Sequence, residues 1–453
     1  MMRARLRVDP LKCGSKPGAD FQSQSERREP ARRIVAVAAL LPILAFAACG
    51  TPVQTTAGQS AAVQASSNAQ APLTLPSGTI LYVRLDTAVS TASSKAGSPV
   101  KAHVVRQAFV GNSVAVPLGA ELTGKITKLA KSPDPGTPAT MTLQFSQIVL
   151  PGEKPASISC HLAGIENARE AVLADGSIEG VKGTALPSSY LDTALSKLEQ
   201  AVPSLGSTIK DIGNQQVGAP DTDISYPVGT DMQIKLDKAF ESPKAYPPAA
   251  SDVLSAGITD PLKALLADAP QRSETQKGTP GDPLNLVLIG DQNTIAQAFK
   301  KACWVVPAPK EKAAIWKTAQ AMIKNLGYAS APISNLYLFN RPQDLAFEKM
   351  LNTFNERHHL RLWRSDAKTA DGREIWLGAA MHDTGIDIHP GVVSHATSPN
   401  LDNERAKVGS DLLDTGMVAA EALVTRPNPL SQGFTGTGGA WHTDGRLLVI
   451  DLK

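Results

Sequence analysis

Short apolar alternations, broken by glycine and proline, fill the part of the chain that follows residue 75. They cover residues 78–85, 100–105, 115–119, 122–129, 141–150 and 158–162. Alternation with a period of two over so few residues, bounded by turn-forming residues, predicts strands. Many short strands at this spacing favour an all-β barrel or sandwich.

Two features interrupt or repeat this pattern. Between residues 185 and 212, apolar side chains recur at helical spacing and predict a helical insertion; they are Tyr190, Leu191, Ala194, Leu195, Leu198 and Val202. Beyond it, the sequence echoes the first strand: Pro-Val-Gly-Thr at 227–230 corresponds to Pro-Ser-Gly-Thr at 76–79, and Leu-Asp follows each copy. We expect the two copies to pair and close a barrel.

A second pattern begins after a connection at 241–281 that is rich in Pro, Ala and Ser and has one helical stretch at 261–268. Strands are predicted at 284–290, 335–339, 359–364, 374–381 and 446–452, and helices at 293–303, 310–326 and 402–420. This alternation predicts an α/β or α+β domain. Since 453 residues exceed one ordinary core, the expected fold is two-domain, an all-β barrel with a helical insertion followed by the α/β (α+β) domain.

The N-terminal residues have the pattern of an exported protein. Arg32 and Arg33 precede an apolar run at 34–46, and Ala-Ala-Cys-Gly follows at 47–50. The run is shorter than the roughly 20 residues that span a bilayer, so a cleaved signal peptide fits it. The four residues resemble a lipobox, although Phe46 stands where an aliphatic residue is usual, and this implies lipidation (palmitate) at Cys49. An uncleaved anchor and an ordinary signal peptide are the alternatives.

Residues 51–71 are rich in Ala, Gln, Ser and Thr and carry no charge, which is typical of a flexible tether. We therefore divide the chain into a leader and signal peptide (1–48), a lipidated cysteine and tether (49–72), a barrel module (73–240), a linker (241–281) and a C-terminal domain (282–453). The expected location is the cell envelope, facing the periplasm. Because neither of the two residues directly after Cys49, Gly50 and Thr51, is acidic, the outer membrane is favoured.

The composition limits the classes of partner and cofactor that we expect. A net charge of +3 gives no basic surface that could follow phosphates, so nucleic acid is not expected. The four cysteines lack the spacing of a zinc site or a redox pair, and we expect no metal and no cofactor. Cys160 and Cys303 are either two small buried apolar side chains or a disulfide.

Six of the eight histidines lie in the last third of the chain, together with several carboxylates. On a strand at 357–363, Arg357, His359, Arg361 and Trp363 would share one face and form a basic stripe suited to an anion such as phosphate. His358 and the leucines beside it would face the core. No GxSxG, HExxH, P-loop or Rossmann motif occurs.

Two resemblances extend this interpretation. The turns Leu-Pro-Ser-Gly-Thr at 75–79 and Val-Pro-Leu-Gly-Ala-Glu-Leu-Thr-Gly at 116–124, with the closing repeat at 227–230, resemble the C-terminal β-barrel of the TrbI family over about residues 73–240. Those proteins belong to the type IV secretion outer-membrane core. We carry over the fold and not the pore, because the insertion contains Lys197, Glu199, Lys210 and Asp211.

Residues 282–452 look like the LssY C-terminal domain, through Asp-Pro-Leu-Asn-Leu-Val-Leu-Ile-Gly at 282–290, Arg-His-His-Leu-Arg-Leu-Trp at 357–363 and Leu-Asp-Asn-Glu-Arg at 401–405. That family has no settled activity, and its fusion partners imply an envelope and lipid setting. The resemblance puts its polar positions on Gln343, Asp344, His358 and the residues that we take as candidate ligand-binding groups: Arg357, His359, Arg361, Asp383, His395, Asp402, Glu404 and Arg405.

Three interpretations of these residues stay open: a binding site, a catalytic site and a buried structural network. The first gives an envelope lipoprotein with a binding or scaffolding role, whose partners would be the membrane, an envelope protein and an anionic small molecule or lipid headgroup. The alternative is an envelope hydrolase acting on an anionic phosphate or ester substrate, with the arginines holding charge and a histidine as base.

Overall fold

The computed structural model describes residues 72–134, 136–182, 222–307, 333–353, 356–389, 392–436 and 438–453. All of them belong to one compact unit. The predicted signal peptide, the lipidation site at Cys49, its tether, the helical insertion and the predicted helix at 310–326 lie outside these residues.

The first half of the described chain forms a nearly closed barrel, as predicted. Its strands are β1 (Leu73–Leu75), β2 (Ile80–Leu85), β3 (Val89–Ser90), β4 (Pro99–Val104), β5 (Ala108–Val110), β6 (Ser113–Val116), β7 (Glu121–Ala130), β8 (Thr140–Val149), β9 (Ala156–Ser157), β10 (Cys160–Ile165), β11 (Ala171–Val172), β12 (Ser177–Glu179), β13 (Ser225–Tyr226), β14 (Asp231–Leu236) and β15 (Phe240–Ser242). The main sheet has the order β10-β14-β2-β4-β7-β8-β12-β11.

The two copies of the repeated strand motif pair with each other, as the sequence predicts. β2 and β14 pair antiparallel, with Arg84 opposite Asp231 and Ile80 opposite Lys235. The sheet then curls until β10 approaches β8, where the Sγ of Cys160 lies 3.8 Å from the carbonyl oxygen of Phe145. Alternate side chains such as Val83 and Leu122 point inward and form the core of the barrel.

In its described residues, the C-terminal region combines three helices with a second sheet, which confirms the α+β class. Its elements are α1 (Ala256–Asp268), β16 (Arg272–Glu274), β17 (Pro280–Pro283), β18 (Leu286–Ile289), α2 (Gln292–Lys301), β19 (Tyr337–Leu338), β20 (Arg341–Pro342), β21 (Leu345–Lys349), β22 (Glu356–Lys368), β23 (Glu374–His389), β24 (Val392–Thr397), α3 (Leu401–Asp414), β25 (Val418–Thr425), β26 (Gln432–Phe434), β27 (Ala440–His442) and β28 (Arg446–Leu452).

This sheet has the order β21-β22-β23-β18-β28-β25, with β24 added to β23. β18 and β28 are parallel, whereas the other neighbours are antiparallel. Both of its faces are covered. Residues of α2 and α3 pack on one face, and α1 packs on the other beside Trp363. This burial on two sides explains why β18 is apolar at every position.

One local prediction was wrong. The helix predicted to reach residue 420 ends at Asp414, because Gly416 turns the chain with φ +71° and β25 begins at Val418. Cys160 is buried and free, so it is not paired with Cys303. Among the described residues, no helix has both the length and the apolar character needed to cross a membrane.

Candidate functional site

The predicted basic stripe on β22 is buried. The exposed fractions of Arg357, His359 and Arg361 are 7%, 6% and 4%. Arg357 donates from Nε to Asp383 Oδ2 at 2.7 Å and from Nη1 to Glu348 Oε2 at 3.3 Å. These carboxylates compensate the positive charge from within the protein.

The other members of the stripe are also engaged. Arg361 donates from Nη1 to Asp282 Oδ2 at 2.7 Å and from Nε to the carbonyl oxygen of Ser334 at 3.1 Å. His359 Nδ1 lies 3.5 Å from Asp383 Oδ2. Burial lowers the pKa of Arg361 and raises the pKa of Asp282. The geometry is that of a paired polar cluster within the fold and not of an anion-binding face open to solvent.

Asp402 and Arg405 form a separate cluster at the start of α3. Asp402 accepts hydrogen bonds from the hydroxyl of Thr443 at 2.6 Å and from the backbone N–H of Asp444 at 2.9 Å. Arg405 donates hydrogen bonds to both carboxylate oxygens of Asp444, at 2.8 and 2.9 Å. These bonds tie the helix to the turn before β28. Of the remaining candidates, the side chain of His395 lies outside the described part.

Glu404 lies elsewhere again, beside His358. His358 Nδ1 is 2.7 Å from Glu404 Oε2, and its Nε2 is 3.6 Å from Glu166 Oε2, which belongs to the barrel. Burial opposes a charge on this ring, yet Glu404 and Glu166 raise the pKa of His358 to about 9. His382 stacks on it with ring centroids 4.2 Å apart, and burial together with this neighbour lowers the pKa of His382 to about 3.

Ligand atoms of His358, His382 and Glu404 lie within 4.8 Å of one another, so these residues could hold a divalent metal ion. An ion there would compete with the bond between His358 and Glu404. The seven predicted residues whose side chains are described therefore lie at three places in the fold: a cluster on β22 and β23, a pair at the start of α3, and a contact with the barrel.

Sequence reasoning missed a larger group of charges between the two halves of the molecule. Arg84 on β2 donates to Asp231 on β14 at 2.7 Å, to Asp411 on α3 at 2.8 Å and to Asp414 at 2.9 Å. Because Arg84 and Asp231 belong to the barrel and the other two belong to the C-terminal region, one guanidinium bridges both.

Two lysines complete this group, which we call the bridging network (Arg84, Glu166, Asp231, Lys349, Lys407, Asp411 and Asp414). Lys349 Nζ lies 2.5 Å from Asp231 Oδ2 and 3.2 Å from Asp411 Oδ2. Lys407 Nζ lies 2.7 Å from Asp231, 2.9 Å from Asp411 and 3.0 Å from Glu166. Burial alone would raise the pKa of Asp231, but Arg84 and the two lysines hold it well below its usual value.

Helix α3 positions three of the seven residues of the bridging network. The Asn400 side chain accepts the N–H of Asp402 at 3.0 Å and caps the helix, and Val408 and Leu412 fix its apolar face on the sheet. Glu404, Lys407, Asp411 and Asp414 follow at spacings of three or four residues and share the other face. A charged stripe of this kind usually faces water, whereas here the barrel covers it.

A cavity of about 950 Å³ lies beside the bridging network, also between the barrel and the C-terminal region. Apolar side chains that line it include Phe109, Val114, Leu118, Leu413, Leu423 and Leu448. Large hydrophobic side chains are exposed here, since Phe109 is 52% and Leu423 is 42% accessible. This is the size and character of a small-molecule site.

Four polar atoms in the wall of the cavity are buried and, within the described part of the chain, have no hydrogen-bond partner. They are Arg106 Nε, Gln107 Nε2, Tyr246 Oη and Glu421 Oε2. The guanidinium of Arg106 is held in place 3.9 Å above the ring of Tyr82, and Gln107 is held by accepting the N–H of Ala249 at 3.1 Å. Burial raises the pKa of Glu421 to about 7. Buried polar atoms without a partner are uncommon in folded proteins, and each needs an explanation.

Comparisons with known proteins cover the two halves unequally. The structure of ComB10 of the Com type IV secretion system of Helicobacter pylori aligns with 38% of this chain and 95% of its own length, at 12% identity and a TM-score of 0.22. No curated protein matches the sequence. Residues 266–447 match the family model described as LssY C-terminus, which confirms the resemblance seen in the sequence.

Proposed function

We propose that the chain is an envelope lipoprotein, anchored by lipid on Cys49, in which the barrel and the LssY C-terminal region act as one binding and scaffolding unit. The observation that carries this proposal is the bridging network. Its charges come from β2, β14 and the residue after β10 on one side, and from β21 and α3 on the other.

Buried ion pairs between the barrel and the C-terminal region favour a permanent association of the two. Arg84, Asp231, Lys407 and Asp411 are each 6% exposed or less. A buried charge is strongly destabilising when its partner is removed, by about 3–5 kcal/mol. Separation of the two halves would break several of these pairs together. The unit is therefore suited to hold a fixed geometry between a membrane anchor and a ligand or protein.

The anchoring part of the proposal rests on the sequence at 34–50, where an apolar run ends in Ala-Ala-Cys-Gly. The hydrolase alternative gains no support from the described side chains. Arg357 and Arg361, which it would need for substrate, bind Asp383 and Asp282 instead. We accordingly propose a binding function without a reaction.

Anchoring is tested by metabolic palmitate labelling of the full chain followed by membrane fractionation. We expect Cys49→Ala to lose both the label and the membrane association. Cys160→Ala is the matched control, because Cys160 is buried and free within the barrel. Equal labelling and fractionation of Cys49→Ala and the unsubstituted protein would overturn the anchor.

The single-unit part is tested by inserting a specific protease site after Val253, which is 72% exposed in the connection between the halves. After cleavage in membranes at physiological salt, we expect the C-terminal half to stay bound through the bridging network. The same half should be released when Asp231→Ala is introduced. Release from the otherwise unsubstituted protein would contradict the proposal.

A further inference from the structure

The cavity between the barrel and the LssY region has a wall of two kinds. One part is apolar and comes from both halves, with Val114 and Leu118 from the barrel and Leu413 and Leu448 from the C-terminal region. An extended hydrocarbon chain would remove this surface from water, a transfer that is favourable in proportion to the apolar area covered. The wall is thus suited to an aliphatic group.

The other part of the lining carries residues with hydrogen-bond donors, namely Arg106, Gln107 and Tyr246. Arg106 Nε, the amide nitrogen of Gln107 and the hydroxyl of Tyr246 are buried and have no hydrogen-bond partner within the described residues. An arginine nitrogen can only donate, and the amide nitrogen of glutamine likewise donates. Burial raises the pKa of Glu421 to about 7, and its protonated form can donate as well.

Donors that adjoin an apolar wall select an acceptor-rich group. A carboxylate or a phosphate accepts several hydrogen bonds at once and is attracted to a guanidinium. A neutral hydrocarbon would leave these donors buried without partners, which disfavours it. A small inorganic anion would leave the apolar wall in contact with water.

We infer that this cavity binds a single-chain anionic amphiphile, with its carboxylate or phosphate head at Arg106, Gln107 and Tyr246 and its chain along the apolar wall. The inference rests on the proposed function, since it needs both halves in one unit. It names the ligand class of that unit and assigns the site to the cavity instead of the β22 stripe.

Photo-crosslinking in isolated membranes that contain the full chain tests this assignment. The probe is an oleate that carries a diazirine, and labelled peptides are mapped by mass spectrometry. We expect the label on peptides from the cavity wall, around residues 106–118, 245–252 and 421–423. Excess oleate or lysophosphatidate should remove it, and the more effective of the two identifies the head group. Competition by oleyl alcohol as strong as by oleate, or by inorganic phosphate alone, would overturn the inference.

Variants separate the polar and apolar parts of the site. Arg106→Met should raise the probe concentration for half-maximal labelling roughly ten-fold, as expected for loss of a charge-assisted hydrogen bond. The matched control is Arg364→Met, because Arg364 also lies over an aromatic ring, that of Trp376, but on an exposed surface. Equal labelling of both variants would contradict the assignment.

A second variant covers the case in which Arg106→Met fails to fold. Ala422→Trp places a large side chain at the cavity wall and leaves the polar atoms unchanged. We expect it to abolish labelling of the wall peptides while the protease-cleaved halves stay together. If labelling is lost and the halves separate, the result counts against the single unit. If labelling persists and the halves stay together, the result counts only against the assignment of the cavity as the binding site.

Discussion

The bridging network and the cavity lie side by side where the barrel meets the C-terminal region, yet their polar atoms differ in whether they have partners. In the network, Lys407 reaches three carboxylates between 2.7 and 3.0 Å. In the cavity, buried atoms of Arg106 and Tyr246 have no hydrogen-bond partner among the described residues. Internal pairing favours assembly of the fold, whereas unpaired polar atoms destabilise it and are kept where a ligand uses them.

This difference predicts opposite responses to the same kind of substitution. Removing a polar group from the network leaves its partners buried without compensation and should destabilise the protein. Removing an unpartnered polar group from the cavity leaves no other group without a partner. Measurements of the free energy of unfolding on matched pairs of variants therefore test this difference.

The largest effect is expected for Asp231→Ala. Asp231 is the shared partner of Arg84, Lys349 and Lys407, so its loss leaves three cations facing one another with less compensation. We expect the free energy of unfolding to fall by about 3–5 kcal/mol, as for other broken buried pairs. Urea denaturation followed by circular dichroism measures it.

Asp260→Ala is the control for this variant. Asp260 and Lys263 lie 4.0 Å apart on α1, with side chains 74% and 80% exposed. An exposed pair of this kind contributes at most about 1 kcal/mol. Similar losses for Asp231→Ala and Asp260→Ala would show that the bridging network does not stabilise the interface.

The fold was predictable where local pattern decides structure. The repeated Pro-x-Gly-Thr motif predicted the pairing of β2 with β14, and the alternation on β22 correctly put Leu360 and Trp363 on opposite faces. The same alternation did not predict that both faces are covered. The basic face of β22 therefore became an internal cluster and not an open site.

The bridging network and the cavity could not be predicted because they depend on tertiary placement. Arg84 and Asp411 are 327 residues apart in sequence and meet only when the barrel docks on α3. The one local signal was the charged stripe on α3, and a stripe with that spacing is usually solvated. The wall of the cavity likewise takes residues from β5, β6 and β25, which share no sequence motif.

A second prediction concerns pH and His358. The pKa of His358 is about 9, above its ordinary value of 6.5, so its contribution to stability is complete below pH 6.5 and is lost as the pH rises through 9. We expect the free energy of unfolding to fall by about 1–3 kcal/mol across this window. The pKa of His103 is also about 9, so the measurement is made in a His103→Gln background.

In that background, His358→Gln should lose this part of the pH dependence, whatever its effect on stability at one pH. Denaturation curves at pH 6, 7.5 and 9 provide the comparison. If both proteins show the same slope, His358 is not charged against Glu404 and Glu166.

Glu421→Gln in the cavity is expected to raise the free energy of unfolding, by a smaller amount than the losses predicted above. The pKa of Glu421 is raised by burial to about 7, so stability falls as the pH rises from about 4.5 to 7 and the penalty persists above 7. Glutamine carries no charge, and the variant should gain about 1 kcal/mol at pH 8, allowing for partial solvent screening, and nothing at pH 4.5. Thermal unfolding at the two pH values measures the gain, with the exposed Glu241→Gln as control. A loss of stability at pH 8 would mean that Glu421 has an internal partner.

The smallest effect, and the most direct comparison, comes from two tyrosines. Tyr246 in the cavity has a buried hydroxyl without a hydrogen-bond partner in the described chain, whereas the hydroxyl of Tyr226 donates to Glu170 at 3.1 Å. Tyr246→Phe should leave the free energy of unfolding unchanged or raise it by about 0.5 kcal/mol, because a buried polar group is removed and no bond is lost. Tyr226→Phe should lower it by about 1–2 kcal/mol, because the carboxylate of Glu170 loses a donor. If the two variants respond alike, the hydroxyl in the cavity is satisfied within the fold and is not held for a ligand.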